Sequence, residues 1–424
     1  MRHETFPRSG RREGTPKLIA TELFSELRAI GDDGVGITRE AFAAGENAAF
    51  DMVRRFAASH GLTTDVDPAG NLVVFAATDD RTRPAYYIGS HLDSVPQGGN
   101  FDGAAGVIAG LMLLADPPEG APPIRVIALR GEESAFYGRA NTGARALFGE
   151  LTPKDLAAPR LGSGGSLAEA MASCGIDLGP IAEGRVLFDA AQALGYLELH
   201  IEQGPVLVAA DEPVGIVPGI RGNVRYRQVA CHGEPGHSGA VPRDLRRDAV
   251  FAFADLVTRL DRRWEDMLRV GDDVVFTCGI VGTDPHEHAM TRIPADLYFS
   301  AEIRSQSQTT LELADKGLRE DCAVVARERG VSFTLDTRID TAPAVLDPKM
   351  TSDLVATCQR LGLPGRLVPS GAGHDAAVFA NAGVPSAMIF IRNENGSHNP
   401  REAMRLDDFL EGVRVLRSQL EAWR

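Results

Sequence analysis

The chain has 424 residues, too many for one hydrophobic core to be the rule, so two domains are expected. Its composition, 44% apolar and 24% charged, is that of an ordinary globular protein and excludes wholesale disorder. A formal net charge of −14 excludes a general nucleic-acid binder, which needs clustered Lys and Arg, but leaves room for an anionic substrate held by one arginine in a cleft.

The first 17 residues are rich in Arg, Gly and Pro and lead into no secretory h-region, so residues 1–16 read as a mobile tail. Residues 16–60 carry apolar side chains at three- and four-residue spacings, a helical pattern. Short runs of β-formers follow at 71–77, 85–90, 124–130, 196–201 and 386–391, separated by Gly/Ala-rich helical stretches at 104–115 and 140–148. That alternation predicts an α/β domain with helices on both faces of its sheet. Between about 221 and 338 the texture changes to two strands, a long amphipathic helix (246–267), strands at 274–281 and 296–303, a helix (310–329) and a strand (331–336). This predicts an α+β domain (221–338) inserted into the first (17–220 and 339–424).

Cys174, Cys231, Cys278, Cys322 and Cys358 are odd in number and form no CxxC, so neither a disulfide framework nor a thiolate zinc site is expected, and a reducing cytoplasm fits. No apolar run reaches the ~20 residues of a membrane span.

Candidate metal ligands sit at or just beyond the C-terminal ends of predicted strands, where ligands bind in open α/β sheets. His91 and Asp93 follow the strand in AYYIGSHLDSV, Glu132 and Glu133 the strand in IRVIALRGEES; His200 closes YLELHIEQG, and His398 follows SAMIFIRNENGSHNP. Asp102, in GGNFDGAAGV, is flanked by glycines that let the backbone turn sharply, so its carboxylate could bridge two cations. Histidine and carboxylate donors suit Zn²⁺, Mn²⁺, Co²⁺ or Ni²⁺, and two such cations ~3.5–4 Å apart can share an activated water. A lone histidine after a strand is ordinarily a satisfied residue, and a lone Glu-Glu pair a solvated face. It is the coincidence of five such motifs that points to a centre.

The series GSHLDSVPQGGNFDGAAGV, RGEES, LHIEQGPVL, GEPGHSGAVPRDLRRDA, SGAGHDA and SHNPREA resembles the hydantoinase/carbamoylase branch of the M20 metallopeptidase clan, over nearly the whole chain from about Pro16. That branch holds allantoate amidohydrolases, N-carbamoyl-L-amino acid hydrolases and β-ureidopropionases. The resemblance implies a mixed-sheet, zinc-exopeptidase-like catalytic domain with an inserted lid and dimerisation domain, hence a homodimer through residues 221–338. It implies two divalent metal ions per subunit. His91 and Glu133 would serve opposite metals, Asp102 would bridge them, and His200 and His398 would complete the set. Glu132 would be the general base, Asp93 would fix the His91 tautomer, and Asp102–Gly103 would carry a cis peptide. In the inserted domain it implies an oxyanion role for His237 across the dimer. Arg304 would pair with the carboxylate of a small-molecule substrate, and Gln203, Gly371 and Gly373 would line the same pocket.

Two departures bear on specificity. Thr291, followed by Arg292, stands where the branch commonly has Asn, and the run after Glu132-Glu133 is Ser134-Ala135-Phe136-Tyr137, without the usual Arg. His286-Glu287-His288 reads as a loop, not a third metal site. The expected reaction is therefore hydrolysis of the C–N bond of an N-carbamoyl amino acid or allantoate-like carboxylate. An N-acyl-amino acid hydrolase or dipeptidase of the same clan is the alternative, against which HIEQG speaks. A non-catalytic binding protein is the remote one.

Overall fold

The computed structural model describes residues 15–423 except residue 163, so most of the tail expected over 1–16 lies outside the described residues. The chain divides into two compact units, one running to Pro218 and resuming at Val345, the other Gly219–Ala344.

Among the described residues, seven strands build the sheet of the first unit: β1 (Leu62–Val66), β2 (Leu72–Ala76), β3 (Ala85–His91), β4 (Ile124–Leu129), β5 (Ala193–Ile201), β6 (Val214–Val217) and β7 (Ser386–Ile391). Their order is β1-β2-β4-β3-β5-β7-β6. The central four, β4, β3, β5 and β7, run parallel, while β1, β2 and β6 are antiparallel to their neighbours, so the sheet is mixed. Helices cover both faces, which is why β4 and β7 are buried at every position. On one face Val74, Ile88, Val126, Leu197, Leu199 and Ile389 pack beneath the apolar helix Ala104–Ala115 and the terminal helix Leu406–Ala422. Strand alternation puts Tyr196, Glu198 and His200 on the other face, where Tyr196 stacks on Phe379 at 4.1 Å.

The helical pattern over 16–60 resolves into two helices, Thr15–Gly31 and Ala44–Ser59. Asp32 and Asp33 stop the first: Asp32 accepts from Gly34 N–H, and Asp33 from the N–H groups of Val35 and Gly36. Side chains that capture local backbone donors compete with the helix, and this periodicity does not register that competition.

In the second unit Gly222–His232 lies between Asp296–Ser305 and Ser332–Leu335, all antiparallel. Helices Ala249–Arg269 and Gln308–Arg329 pack on the sheet, with Val224, Tyr226, Leu256, Leu260, Phe299, Ile303 and Leu318 between them. Asp296–Ser305 alternates between buried and half-buried residues, as a strand covered on one face should. The strand expected over 274–281 is two short ones, Val275–Thr277 and Val281–Gly282, both pairing with Asp296–Ser305. No helix among the described residues is long and apolar enough to cross a membrane.

Candidate metal centre

Because β4, β3, β5 and β7 are parallel neighbours, their C-terminal ends emerge on one edge. His91 ends β3, Glu132 and Glu133 follow β4, His200 is the penultimate residue of β5, and the loop beyond β7 carries His398 at a left-handed φ of 60°. Asp102 lies just ahead of the helix Ala104–Ala115, which packs against β3, β4 and β5.

Asp102 is the centre of the cluster. Its Oδ1 lies 3.1 Å from His200 Nε2 and 3.6 Å from His91 Nε2, while its Oδ2 lies 3.4 Å from His398 Nε2. The same His398 nitrogen is 3.3 Å from Glu133 Oε1. Each carboxylate oxygen of Asp102 thus belongs to a separate donor set, His91–Asp102–His200 and Asp102–Glu133–His398. Both sets are imidazole and carboxylate, donors that fit divalent zinc, manganese, cobalt or nickel. In the first set the other ring nitrogens are spoken for: His91 Nδ1 is 3.1 Å from the Asp93 carbonyl oxygen and His200 Nδ1 is 2.8 Å from that of Ile201, leaving the Nε2 of each turned inward.

Gly103 makes the close approach possible. At φ +66° it turns the chain, and a Cβ there would fall 2.4 Å from His91 Nε2. The Asp102–Gly103 peptide is trans, since no cis bond occurs among the described residues, which corrects the expectation of a cis bond there. The turn is made by the left-handed glycine instead.

Asp93 is a hub. Its Oδ1 accepts from Glu132 N–H at 3.1 Å and its Oδ2 from Glu133 N–H at 3.0 Å, while Oδ1 also lies 3.4 Å from His91 Nδ1. Glu133 then faces His398, whereas Glu132 points Oε2 to within 3.8 Å of His91 Nε2. Burial, with the charges of Glu133, Asp375 and Asp93 and against that of His91, pushes the Glu132 carboxyl well above the usual range. Burial opposes a charged His91, yet Asp102, Asp93 and Glu132 hold it well above the ordinary imidazole value. Glu133 likewise pushes His398 up to about 9.

Gln203, at a left-handed φ of 61°, donates from Nε2 to Asp102 Oδ2 at 2.8 Å and to Ser397 Oγ at 2.9 Å; its Oε1 is buried without a hydrogen-bond partner among the described residues. Gly371 and Gly373 lie in the loop before the helix Asp375–Asn381. The remaining expected residues belong to the second unit. His237 is exposed, on a two-residue strand paired with Arg292–Ile293, and Ser238 N–H donates to the Thr291 carbonyl oxygen. Arg304 donates from Nη2 to Glu302 Oε1 at 3.0 Å. His286 and Glu287 lie in a 3-10 turn that His288 follows, and none of the three joins a metal-donor group among the described residues.

Several buried polar residues behind the centre had no role assigned from sequence, although Glu198 and His374 stand inside YLELHIEQG and SGAGHDA. Glu198, two residues before His200 on the same strand face, accepts from Ser90 Oγ at 2.7 Å and from Ala376 N–H at 2.8 Å. His374 packs edge-on against His200 and shares a hydrogen bond with Ser370 Oγ at 2.8 Å; burial and the neighbouring His200 push its pKa well below the ordinary value. Glu198, His200 and His374 are close enough to hold a cation. Both Glu198 oxygens and the His374 Nε2 are already engaged with protein groups, so this set acts as support for His200.

Residues 87–422 match the model of peptidase family M20/M25/M40. The chain is 34% identical over 404 residues to an N-carbamoyl-L-amino acid amidohydrolase of Geobacillus stearothermophilus, covering 93% of this chain and 96% of the relative. It is 33% identical over 378 residues to an allantoate amidohydrolase of Escherichia coli, with 88% and 89% covered. Among solved structures it resembles a hydantoinase/carbamoylase family amidase from Burkholderia ambifaria, with TM-score 0.82, 28% identity, and 96% of this chain and 95% of that one covered. Family match, relatives and solved structure agree: this chain belongs to peptidase family M20/M25/M40, in the company of its hydantoinase/carbamoylase amidohydrolases.

Proposed function

We propose that the chain hydrolyses the C–N bond of an N-carbamoyl amino acid or allantoate-like carboxylate, using two divalent cations, Zn²⁺, Mn²⁺, Co²⁺ or Ni²⁺. The observation that carries this reading is Asp102, whose two oxygens serve separate donor sets. His91, His200 and Asp102 would hold one cation, and Glu133, His398 and Asp102 the other. Cations held there supply Lewis acidity and make water acidic enough to attack near neutral pH.

Glu132 is the remaining carboxylate at the centre. Buried, with its Oε2 facing the cluster, it takes the proton from the attacking water and returns it to the leaving nitrogen. The unpartnered Gln203 Oε1 is suited to accept from a ureido N–H of the substrate. Arg304 offers the planar fork that suits the substrate carboxylate, with Glu302 its partner until the substrate arrives. His237 would stabilise the oxyanion from a second subunit. Thr291 would set substrate-side hydrogen bonding, and the backbone at Gly371 and Gly373 would line the pocket. Homodimerisation through the second unit is supported by its exposed apolar residues Phe251, Ile280 and Val281. Five free cysteines fit a cytoplasmic protein. For a carbamoyl substrate, addition of water yields the free amino acid, ammonia and carbon dioxide.

The test is to strip the protein with chelator and restore each of the four metals in turn. Ammonia and free amine are then assayed over ureido acids, N-acyl amino acids and dipeptides. Turnover confined to ureido acids is expected. No turnover with any metal, or wild-type turnover by Glu132→Gln, overturns the reading, and preference for N-acyl substrates moves it to the acylase alternative. Unchanged turnover of a carboxylate substrate by Arg304→Ala removes that residue as the anchor.

A further inference from the structure

Asn141 stands in an unusual place for a helix-capping residue. It precedes the helix Thr142–Leu147 with φ 53° and ψ 37°, a left-handed conformation that costs most side chains but is tolerated by asparagine, and its side chain makes no capping bond. The backbone is fixed there: Asn141 N–H donates to the Glu132 carbonyl oxygen, Thr142 N–H to that of Gly131 and Gly143 N–H to that of Arg130, each at 2.8 Å. Gly143 permits the approach, because a Cβ there would sit 2.2 Å from Asn71 Oδ1. The chain segment holding Asn141 is therefore tied alongside the segment holding Glu132.

With the cap unmade, the amide goes to two carboxylates. Nδ2 donates one hydrogen to Glu132 Oε1 at 3.0 Å and the other to Asp375 Oδ1 at 3.1 Å. Only the nitrogen end of an amide can face a carboxylate favourably, since its oxygen would meet two lone-pair-bearing groups. Asp375, fully buried and brought from the far end of the chain, thus decides which way the amide points. Among the described residues its Oδ2 has no hydrogen-bond partner, so within this network the carboxylate serves the amide through Oδ1 alone.

We propose that Asn141 is a positioning residue for Glu132, and that Asp375 fixes the orientation of the Asn141 amide. The terminal torsion of a glutamate is broad, and an unpinned carboxylate samples many orientations. Tying Oε1 to Asn141 leaves Oε2 directed at the cluster, 3.8 Å from His91 Nε2. The base is then held ready before substrate arrives, and the orientation need not be found during each turnover. This inference rests on the assignment of Glu132 as the base.

The experiment compares Asn141→Gly, Asp375→Asn, the double variant and Glu132→Gln, all metal-loaded, on the ureido acid turned over fastest by wild type. Glycine keeps the left-handed backbone, so Asn141→Gly removes the amide with little change to the fold. Metal content should be unchanged and KM should stay within about twofold, while kcat falls roughly ten- to hundredfold, part of the 10²–10⁴ that a positioned base contributes. The double variant should be no slower than Asn141→Gly alone, because Asp375 acts through the amide. A crystal structure of Asn141→Gly should show the Glu132 carboxylate in more than one orientation. Wild-type kcat in Asn141→Gly beside an inactive Glu132→Gln overturns the inference while sparing the base. So does a loss of kcat that tracks lost metal, a multiplicative effect in the double variant, or a Glu132 that keeps its single orientation. Wild-type turnover by Glu132→Gln overturns the base assignment, and this inference falls with it.

Discussion

Glu402 holds the backbone of Asp102 in place. Its Oε1 accepts from the Asp102 N–H at 3.3 Å and from the Phe101 N–H at 2.8 Å, and Gly99 leaves the space that its carboxyl fills, since a Cβ there would lie 2.0 Å from the Glu402 Cδ. A residue just beyond His398 therefore sets the loop that presents the shared carboxylate, tying together two segments that both face the candidate metals. Groups behind metal ligands are worth about 10- to 100-fold in metal affinity. Glu402→Ala is expected to weaken cation binding by that amount in isothermal titration. Glu402→Gln, which keeps an acceptor oxygen, should bind nearly as wild type, and equal loss in both would show that charge rather than the acceptor matters.

Gly103→Ala should be among the most damaging single-methyl changes in the first unit. Alanine is strained at the Gly103 backbone angles of φ 66° and ψ −47°, and the new Cβ would also press on the His91 ring, 2.4 Å away. The variant should melt several degrees lower and retain little metal by elemental analysis. Full metal content would mean that the loop can relax away from His91.

Metal removal should destabilise the fold. His91, Asp102, Glu133 and His200 are all buried, and a ligand that binds only the native state stabilises it by about 2.7 kcal/mol at a free concentration 100 times its Kd. Calorimetry should show a higher Tm with added Mn²⁺ or Zn²⁺ than with chelator. The increment should shrink in His200→Ala, which leaves Asp102, Glu133 and His398 to a second cation, and be lost in Asp102→Ala, where its persistence would point to cations bound elsewhere.

Stability of the second unit should depend on Asp273 as the pH falls. Partial burial raises its carboxyl pKa, but Arg221, with Nε 2.9 Å from both oxygens, and the Gln306 N–H at 3.0 Å outweigh this and hold it below the ordinary value. A depressed folded-state pKa gives stability that is present above the unfolded pKa of about 3.9 and lost as pH falls through the lower folded value. Asp273→Asn should therefore cost about 1 kcal/mol at pH 7 and less at a pH below the unfolded value of about 3.9. An equal deficit at both pH values would assign the loss to packing.

The parts of the centre that were legible in sequence are those whose position follows from one strand. His91, Glu132, Glu133 and His200 each sit at a strand end that β-formers mark out, and the sheet needed only to be parallel there to gather them. Glu198 was within reach of the same logic, since strand alternation puts it on the face of His200. Asn141 was not, and Asp375 and Glu402, though they stand in SGAGHDA and SHNPREA, had no role that sequence could assign. Asp375 meets Asn141 across 234 residues and Glu402 meets Phe101 across 301, contacts decided by which strands become neighbours, which periodicity does not carry. The break between the first two helices was missed for a local reason: Asp32 and Asp33 take the backbone donors of the next turn, and apolar spacing is blind to hydrogen-bond competition.

The clamp by Asp93 on two consecutive N–H groups turns backbone registration into chemical identity. Glu132 and Glu133 are the same side chain, and what separates them is which oxygen of Asp93 each amide meets, 3.1 Å for one and 3.0 Å for the other. Slide the loop after β4 by a single residue and one glutamate would take the other's place, while Gly131 or Ser134 would stand where the second carboxylate is needed. Length in the segment from Arg130 to Glu133 is therefore constrained more tightly than composition. Deleting one residue there should be harsher than replacing either glutamate, because it misassigns both at once.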